Sequence, residues 1–569
     1  MRFRPGAFLF LGLLAVMRAA PFEGSPFGPA MAEALAAAGA RDPAKGNRAE
    51  MLSNGYDALL LRVHLIRQAR TSIAIQTFIW TNDEVGRLMM YELIEAAKRG
   101  VKVRIIADQL ASDQDPQVVA FLATVHPNIE IKHYRPPLSR LKPSRFQMAV
   151  AAVQSFHDLN QRMHNKVLVV DGAVLVTGGR NIENTYYDHA VGLNFRDRDV
   201  LVVGPAARAA AESFEEFWKY RHAVASRELL DVAAAITGGK YPHYAQRSDY
   251  DFGGYFEALD REASDAAVIT DRFVAKLQPV EKAVFIADVP GKRTGMFSKM
   301  ARITRELRNT LEQARERVTM QTPYLVLSPP AQELITEMKR RNPALVLRVS
   351  TNSFASTDNL EAYSANYRLR GVYVERLHLE VHELKPRPAS LRSLFPQYDA
   401  MQRRFESRQV AADRAPFLSL HAKSLVVDDR VAFIGSYNLD PRSETLNTEA
   451  GLLVEDAAFA RALREEIDRD MRPENSWVIA RRRLPLRLDV VNGLVDGVLS
   501  LSPLDLWPIQ NTSSFELKPG SDEVSADDPA FYERYKEAGS FPGAETPLSN
   551  KEILTRLYKA VGTPITPVL

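Results

Sequence analysis

Apolar and polar positions along the chain alternate between two periods, and the alternation recurs. Thr71–Trp80, "TSIAIQTFIW", is a short apolar run rich in β-formers, which predicts a buried strand. Gly86–Gly100, "GRLMMYELIEAAKRG", spaces its apolar residues as one face of a helix and ends on glycine. Val101–Asp108, "VKVRIIAD", predicts the next strand. Strand, helix and strand in that order imply a parallel, right-handed unit. The order returns in the second half of the chain. "RVTMQTPYLVL" (Arg317–Leu327) matches the first strand at a Gln-Thr pair, Gln321/Thr322 against Gln76/Thr77. Ala331–Asn352 then supplies the following helix and strand. The period of roughly 260 residues is far too long for a solenoid. It predicts an α/β protein of two repeats packed face to face.

The flanks divide the rest. Arg2 and Arg4 precede an apolar run from Gly6 to Met17, the charged and hydrophobic regions of a secretory signal. Arg18 and Pro21 make a poor cleavage site, so residues 1–20 are a signal peptide or an uncleaved N-terminal anchor. The expected location is extracytoplasmic (periplasmic) and membrane-associated. Residues 21–45, rich in Ala, Gly and Pro, predict a linker. Repeat one is expected over 46–225, a connector or insertion over 226–290, repeat two over 291–471 and a C-terminal extension over 472–569. In the extension a basic cluster precedes a moderately apolar stretch (Arg481–Trp507), suited to an anionic membrane or to packing on repeat two. A short helical pattern follows at Asn550–Val561.

With 569 residues, 46% of them hydrophobic, the chain is long enough for two or more domains. Its net charge of +3 gives no global basic field, and no nucleic-acid partner is expected. The absence of cysteine excludes disulfides, thiolate metal sites and a cysteine nucleophile. Histidine is then the obvious residue for covalent chemistry.

Two histidines sit in a repeated stretch. "MHNKVLVVDGAVLVTGGRN" (Met163–Asn181) and "LHAKSLVVDDRVAFIGSYN" (Leu420–Asn438) share His, Lys, Asp, Gly and Asn at the same offsets. On a strand, His164 and Lys166 project from one face, as do His421 and Lys423. An imidazole beside an ammonium suits a phosphate: the lysine holds oxygens while the histidine attacks or donates a proton. Asn181 and Asn438 follow glycine-bearing turns, and with Gly179 and Ser436 they are candidate phosphate-binding residues. Asp171 and Asp428 point to the opposite face and are expected to fix the turns. Each histidine also needs a group on its other nitrogen to set its tautomer. Asp197 and Glu449 fall on one another when "NFRDRDVLVVGP" is aligned with "NTEAGLLVED", and they are the candidate orienting carboxylates.

These motifs, H-x-K-x4-D followed by G-[GS]-x-N and present twice, resemble those of the phospholipase D superfamily over roughly Leu59–Met471. Within it the chain looks most like bacterial cardiolipin synthases of the class C branch. "GSYNLDPRSETLNTEAG" (Gly435–Gly451) and "TNSFASTDN" (Thr351–Asn359) look like that branch's motif surroundings. The resemblance implies two pseudo-two-fold-related repeats with mixed sheets flanked by helices. It implies a two-step transfer in which His164 attacks the phosphodiester to form a phosphohistidine and His421 serves as acid and base. It implies no metal and no cofactor, and a phospholipid substrate at a membrane surface. A duplicated motif then has a reason, since one active site is assembled from both copies. Where the branch usually carries a short run bearing histidine and glycine, this chain reads "NLEAYSANY" (Asn359–Tyr367), which leaves the acceptor open.

The favoured function is a phosphatidyltransferase; a hydrolytic phospholipase D is the alternative. A nuclease of the superfamily is disfavoured by the near-neutral charge, although "KPRPASLRS" (Lys385–Ser393) could line a local basic groove. A non-catalytic lipid-binding protein is disfavoured because neither motif is degraded. Oligomeric state leaves no signature in the sequence.

Overall fold

A computed structural model describes residues 22, 24–37, 42–112, 115–148, 160–250, 252, 256–292, 301–407, 416–483 and 511–543. The first strand–helix–strand unit forms from Ser72–Thr77, Glu84–Lys98 and Lys102–Asp108, with parallel strands. Asp83 caps its helix by accepting from the Gly86 amide at 2.9 Å. Arg317–Gln321, Pro329–Arg341 and Val346–Asn352 repeat the unit, with Ser328 as the cap.

Each unit is the centre of a large mixed sheet. The first has nine strands, in spatial order Gln278–Pro279, Arg48–Leu52, Asp199–Val203, Val174–Gly178, Val167–Val170, Ser72–Thr77, Lys102–Asp108, Ile129–Tyr134 and Ala223–Ala225. The second runs from Lys282–Ala287 through Ala450–Glu455, Val431–Gly435, Ser424–Val427, Arg317–Gln321, Val346–Asn352 and Glu380–Leu384 to Ser476–Arg481. Two further strands, Thr512–Leu517 and Tyr535–Gly539, extend its edge from the C-terminal extension. The halves meet over one apolar layer, in which Val169, Leu175, Phe214 and Phe217 join Ile434, Leu452, Leu463 and Ile467. Burial of that layer favours one docking of the two sheets.

Asp171 and Asp428 sit in tight turns with φ of 52° and 51°. Asp171 accepts from the amides of Arg70, Thr71 and Ser72, and Asp428 from those of Arg315, Glu316 and Arg317. Each carboxylate thereby ties the far end of its motif strand to the start of the neighbouring one.

Two boundaries differ from those expected of the sequence. Residues 24–37 lie in the stretch expected as a linker, yet Gly28–Ala37 is a helix. Phe22 and Phe27 are wholly buried in the first core, because aromatic rings outweigh the turn-forming residues around them. The second half also begins earlier than residue 291, since Lys282–Ala287 is already the edge strand equivalent to Arg48–Leu52. The remaining connector forms helices, among them Leu230–Gly238 and Glu257–Ser264, that close over the first half. The signal-like residues 1–20, nearly all of the basic-then-apolar stretch at 481–507 and the helical pattern at 550–561 lie outside the described residues. Among the described residues no helix is long and apolar enough to cross a membrane.

His133 and His382 are buried on the parallel strands Ile129–Tyr134 and Glu380–Leu384. Burial lowers them to about 4 and about 3, the second also by Arg348. Their folded values lie below the ordinary 6.5, so the unfolded chain takes up protons first as pH falls and stability drops with it. Between about pH 6.5 and pH 3, wild type should lose up to about 1.4 kcal/mol per pH unit more than His382→Asn in urea unfolding. Equal slopes would mean that His382 does not need to stay neutral in the fold.

Candidate active site

Each motif strand begins just after its lysine, at Val167 and at Ser424. The histidines therefore stand on extended backbone leading into the sheet, and that backbone is held by the opposite half of the protein. Leu420 pairs in parallel with Arg196 at the end of a two-stranded ribbon, Phe417–Leu420 against Leu193–Arg196. Met163 pairs in parallel with Thr448 as a single bridge. The residue before each histidine thus lies beside the residue before the other half's carboxylate.

The side chains follow that pairing. His164 Nδ1 lies 2.8 Å from Glu449 Oε2, and His421 Nδ1 lies 2.7 Å from Asp197 Oδ2. The orienting pairs are therefore crossed between the halves, a point that alignment of the two copies left undecided. Binding Nδ1 to a carboxylate leaves Nε2 as each imidazole's reacting nitrogen. Lys166 Nζ donates to the carbonyl of His164 at 2.7 Å. Lys423 Nζ donates to the carbonyl of His421 and lies 2.9 Å from its Nδ1.

Burial dominates the electrostatics. It lowers His164 to about 4 against the pull of Glu449, and it lowers His421, with Lys423 beside it, to about 3. Burial alone would raise Asp197, but His421 and Lys423 outweigh it and hold the carboxylate at about 2. Glu449 is likewise lowered, because His164 and Lys166 override its desolvation. Desolvation pushes Lys423 down to about 8 and Lys166 well below the ordinary lysine value. The site thus combines neutral imidazoles and two ionised carboxylates with two ammonium groups that hold their protons weakly, so an arriving anion would favour the charged form of both lysines.

Both histidines line one cavity of about 240 Å³, together with Asn181 and Asn438. Asn181 accepts from the Ile79 amide at 3.1 Å and donates to the Tyr186 hydroxyl at 2.8 Å. The Asn438 side-chain oxygen is buried without a protein partner. Ser436 and Gly179, expected at the phosphate, stand behind the histidines instead. Ser436 Oγ donates to Glu449 Oε2, and the Ser443 hydroxyl donates to Glu449 Oε1 at 2.7 Å. A Cβ on Gly179 would lie 2.1 Å from Asp197 Oδ1, so glycine is what lets the shorter carboxylate approach. The two copies differ here because a glutamate needs a hydroxyl to steady it, whereas an aspartate needs the room.

Several supporting residues escaped the sequence reading. Asp108 accepts from the Met163 amide at 2.9 Å, and Asn352 accepts from the Leu420 amide at 2.8 Å. These residues end the aligned strands Lys102–Asp108 and Val346–Asn352, so the repeat itself held the signal. Arg196 binds Asp470 and Glu466, and Arg198 donates to Gln321 and Ser424, so the residues flanking Asp197 are clamped to the second half. On the other side, Asp288 accepts from the Glu449 amide at 3.1 Å and pairs with Lys292 at 3.0 Å. Asp358, bonded by Tyr324 at 2.8 Å, and Asp440 also face the cavity. Burial raises both carboxyls above the ordinary aspartate value.

The sequence profile described as "Cardiolipin synthase, PLD-like domain" matches residues 63–218 and 307–471. The chain belongs to this phospholipase-D-like family, and it is an enzyme of phosphodiester transfer. An uncharacterised protein of Helicobacter pylori is 30% identical over 84% of this chain and 90% of its own length. Cardiolipin synthase C of Escherichia coli K12 is 28% identical over 72% of this chain and 82% of its own. Among solved structures, a phosphatidylserine synthase of Haemophilus influenzae covers 76% of this chain and 87% of its own at 14% identity, with a TM-score of 0.49.

Gly179→Ala should fold yet displace Asp197 from His421. Phosphodiester turnover is expected to fall by about a hundredfold at temperatures where the variant is folded, and its melting temperature should drop because buried Asp197 loses its partner, in parallel assays of activity and thermal unfolding. Normal activity in this variant would show that the Asp197–His421 bond is dispensable.

Proposed function

We propose that the protein is a phosphatidyltransferase of cardiolipin-synthase type, working on phospholipid phosphodiesters through a phosphohistidine. The observation that carries this reading is the crossed pair of histidine–carboxylate bonds on either side of one cavity. In the first step His164 Nε2 attacks phosphorus, the bond to the leaving alcohol breaks, and that oxygen takes a proton from His421 Nε2. In the second step His421 Nε2 removes the proton of an acceptor hydroxyl, whose oxygen attacks phosphorus and displaces His164. Covalent catalysis splits one difficult displacement into two easier ones.

Protonation suits these roles. His164, lowered to about 4, is neutral and nucleophilic at pH 7. His421 must carry a proton, which its burial beside Lys423 opposes. An entering phosphodiester anion compensates for Lys423 and Lys166 and favours the imidazolium when it is needed. Asn181 and Asn438 are the carboxamides at hand for the phosphoryl oxygens.

The acceptor is an alcohol of a second lipid in this reading, supported by the likeness to cardiolipin synthase C. A phosphohistidine conserves the energy of the original ester, so transfer needs no nucleotide. That property suits a site outside the cytoplasm at a membrane surface, where the signal-like Arg2–Met17 segment would direct the chain. The basic stretch "KPRPASLRS" adds little to a nuclease reading, because Lys385 pairs with Glu516 and Arg392 with Asp399.

The test is lipid mass spectrometry on purified protein with vesicles of phosphatidylglycerol and phosphatidylethanolamine. Cardiolipin should form, and its rate should fall by about a thousandfold or more in both His164→Ala and His421→Ala. Phosphatidic acid as the sole product would mean a hydrolytic phospholipase D, and no turnover by folded protein would reject a lipid substrate. The pH profile of kcat/KM should be bell-shaped. Its acid limb lies near 4, where His164 is protonated, and its alkaline limb near 8, where Lys423 loses its charge. Those apparent values belong to the coupled cluster. Absence of the alkaline limb would mean that turnover does not need Lys423 charged, and absence of the acid limb would contradict His164 as the nucleophile.

A further inference from the structure

The first half contains a second cavity, separated from the catalytic one by a single segment of chain. Phe78 and Ile79 line the catalytic cavity, while the next residues, Trp80 and Thr81, line this one. Ser112 ties the partition together, donating to the Phe78 carbonyl and accepting from the Trp80 amide at 3.1 Å. Carbon makes up most of the wall, from Met90, Ile105, Val119, Phe121 and Ile131, and Arg87 and the buried His133 also line it. Tyr244 and Tyr250, from the connector between the repeats, form its roof. Asn82 and Asp115 are exposed and mark its mouth.

The corresponding place in the second half is filled. Sheet register pairs Ala107 with His133 in the first half and Thr351 with Glu383 in the second, so His133 and Glu383 occupy equivalent positions. Glu383 forms a wholly buried ion pair with Arg370, whose guanidinium lies 4.9 Å from the Tyr367 ring. Phe541, from the C-terminal extension, packs on Tyr367 and on Phe354 with centroids 4.9 Å and 5.2 Å apart. The fold can thus plug this position with an ion pair and stacked rings, and in the first half it does not. An apolar cavity left open beside a catalytic centre forgoes packing contacts that the other half makes.

We propose that this cavity, of about 90 Å³, receives a segment of one acyl chain of the substrate phospholipid, holding it while the phosphodiester lies between His164 and His421. The assignment rests on the phospholipid reading of the active site. Three features support it: a mostly apolar lining, an opening flanked by polar residues, and a single segment, Phe78–Thr81, that borders both this cavity and the catalytic one. It makes the enzyme asymmetric at this position, with chain recognition in the first half and the Arg370–Glu383 pair and Phe541 in its place in the second. It also gives the connector a purpose, since its tyrosines complete the chamber.

Trp80 provides a direct probe, because bromine atoms on an acyl chain quench a tryptophan only at close range. His164→Ala protein would be mixed with phosphatidylcholine vesicles containing phosphatidylglycerol with dibrominated acyl chains. Its fluorescence should fall relative to unbrominated vesicles, and the difference should shrink markedly in His164→Ala/Trp80→Phe. Val119→Phe, which fills the chamber, should lower kcat/KM for long-chain phosphatidylglycerol by about tenfold. Turnover of a water-soluble short-chain phosphatidylglycerol should stay within about twofold of wild type. If Val119→Phe unfolds, Ala107→Leu narrows the same space. Absence of Trp80-dependent quenching, or an unchanged preference between long and short chains in a folded filling variant, would overturn the proposal. Failure of the phospholipid reading is distinguishable, because wild type would then turn over neither lipid.

Discussion

Everything at the catalytic centre depends on two short parallel backbone contacts between the halves, Met163 beside Thr448 and Leu420 beside Arg196. Each sets a histidine against a carboxylate one residue further along. Neither half can orient its own imidazole, because the carboxylate that it owns is aimed at the other one. Docking of the sheets is consequently a condition for chemistry as well as for stability. The apolar layer between them and the clamps made by Arg196 and Arg198 serve both ends.

Such burial of charge is costly unless compensated. Here Asp197 and Glu449 stand against two histidines and two lysines, all nearly removed from water. The carboxylates gain enough from their neighbours to remain ionised, while the histidines stay neutral and the lysines are loosened. An anion entering the site would favour the charged forms of these lysines and of an imidazole. A cavity that is preorganised for an anion needs little rearrangement when one arrives.

The pseudo-symmetry is broken where function would require it. Glu449 is steadied by Ser436 and Ser443, whereas Asp197 approaches through the space left by Gly179. One half is plugged by Arg370, Glu383 and Phe541, and the other retains an apolar chamber beside the same active site. A duplicated fold allows this division, because each copy keeps the framework that the other needs while its periphery diverges. The aromatic stretch Phe395–Phe405 is part of that framework: Phe395 and Met401 are wholly buried in a core with Leu384, Leu418 and Leu420.

Local chemistry made much of this legible in the sequence. Helix period and β-rich runs marked the strand–helix–strand units, since side-chain spacing mirrors backbone geometry. The spacing of His164, Lys166 and Asp171, repeated at His421, Lys423 and Asp428, marked the site and the turn-fixing aspartates. Alignment of the copies also brought out Asp197 and Glu449. Three things were decided only by the tertiary structure. Which carboxylate meets which histidine depends on how one sheet lies over the other, and both pairings leave the same pattern along the chain. Ser436 and Gly179 were read as phosphate ligands because their turns carry asparagines, but the strand directs them towards the carboxylates. Phe22, Phe27 and the apolar chamber owe their burial to residues distant in the chain, among them His64 against Phe27 and Tyr244 and Tyr250 over the chamber. Periodicity reports which face of an element is apolar, and only long-range packing determines what covers that face.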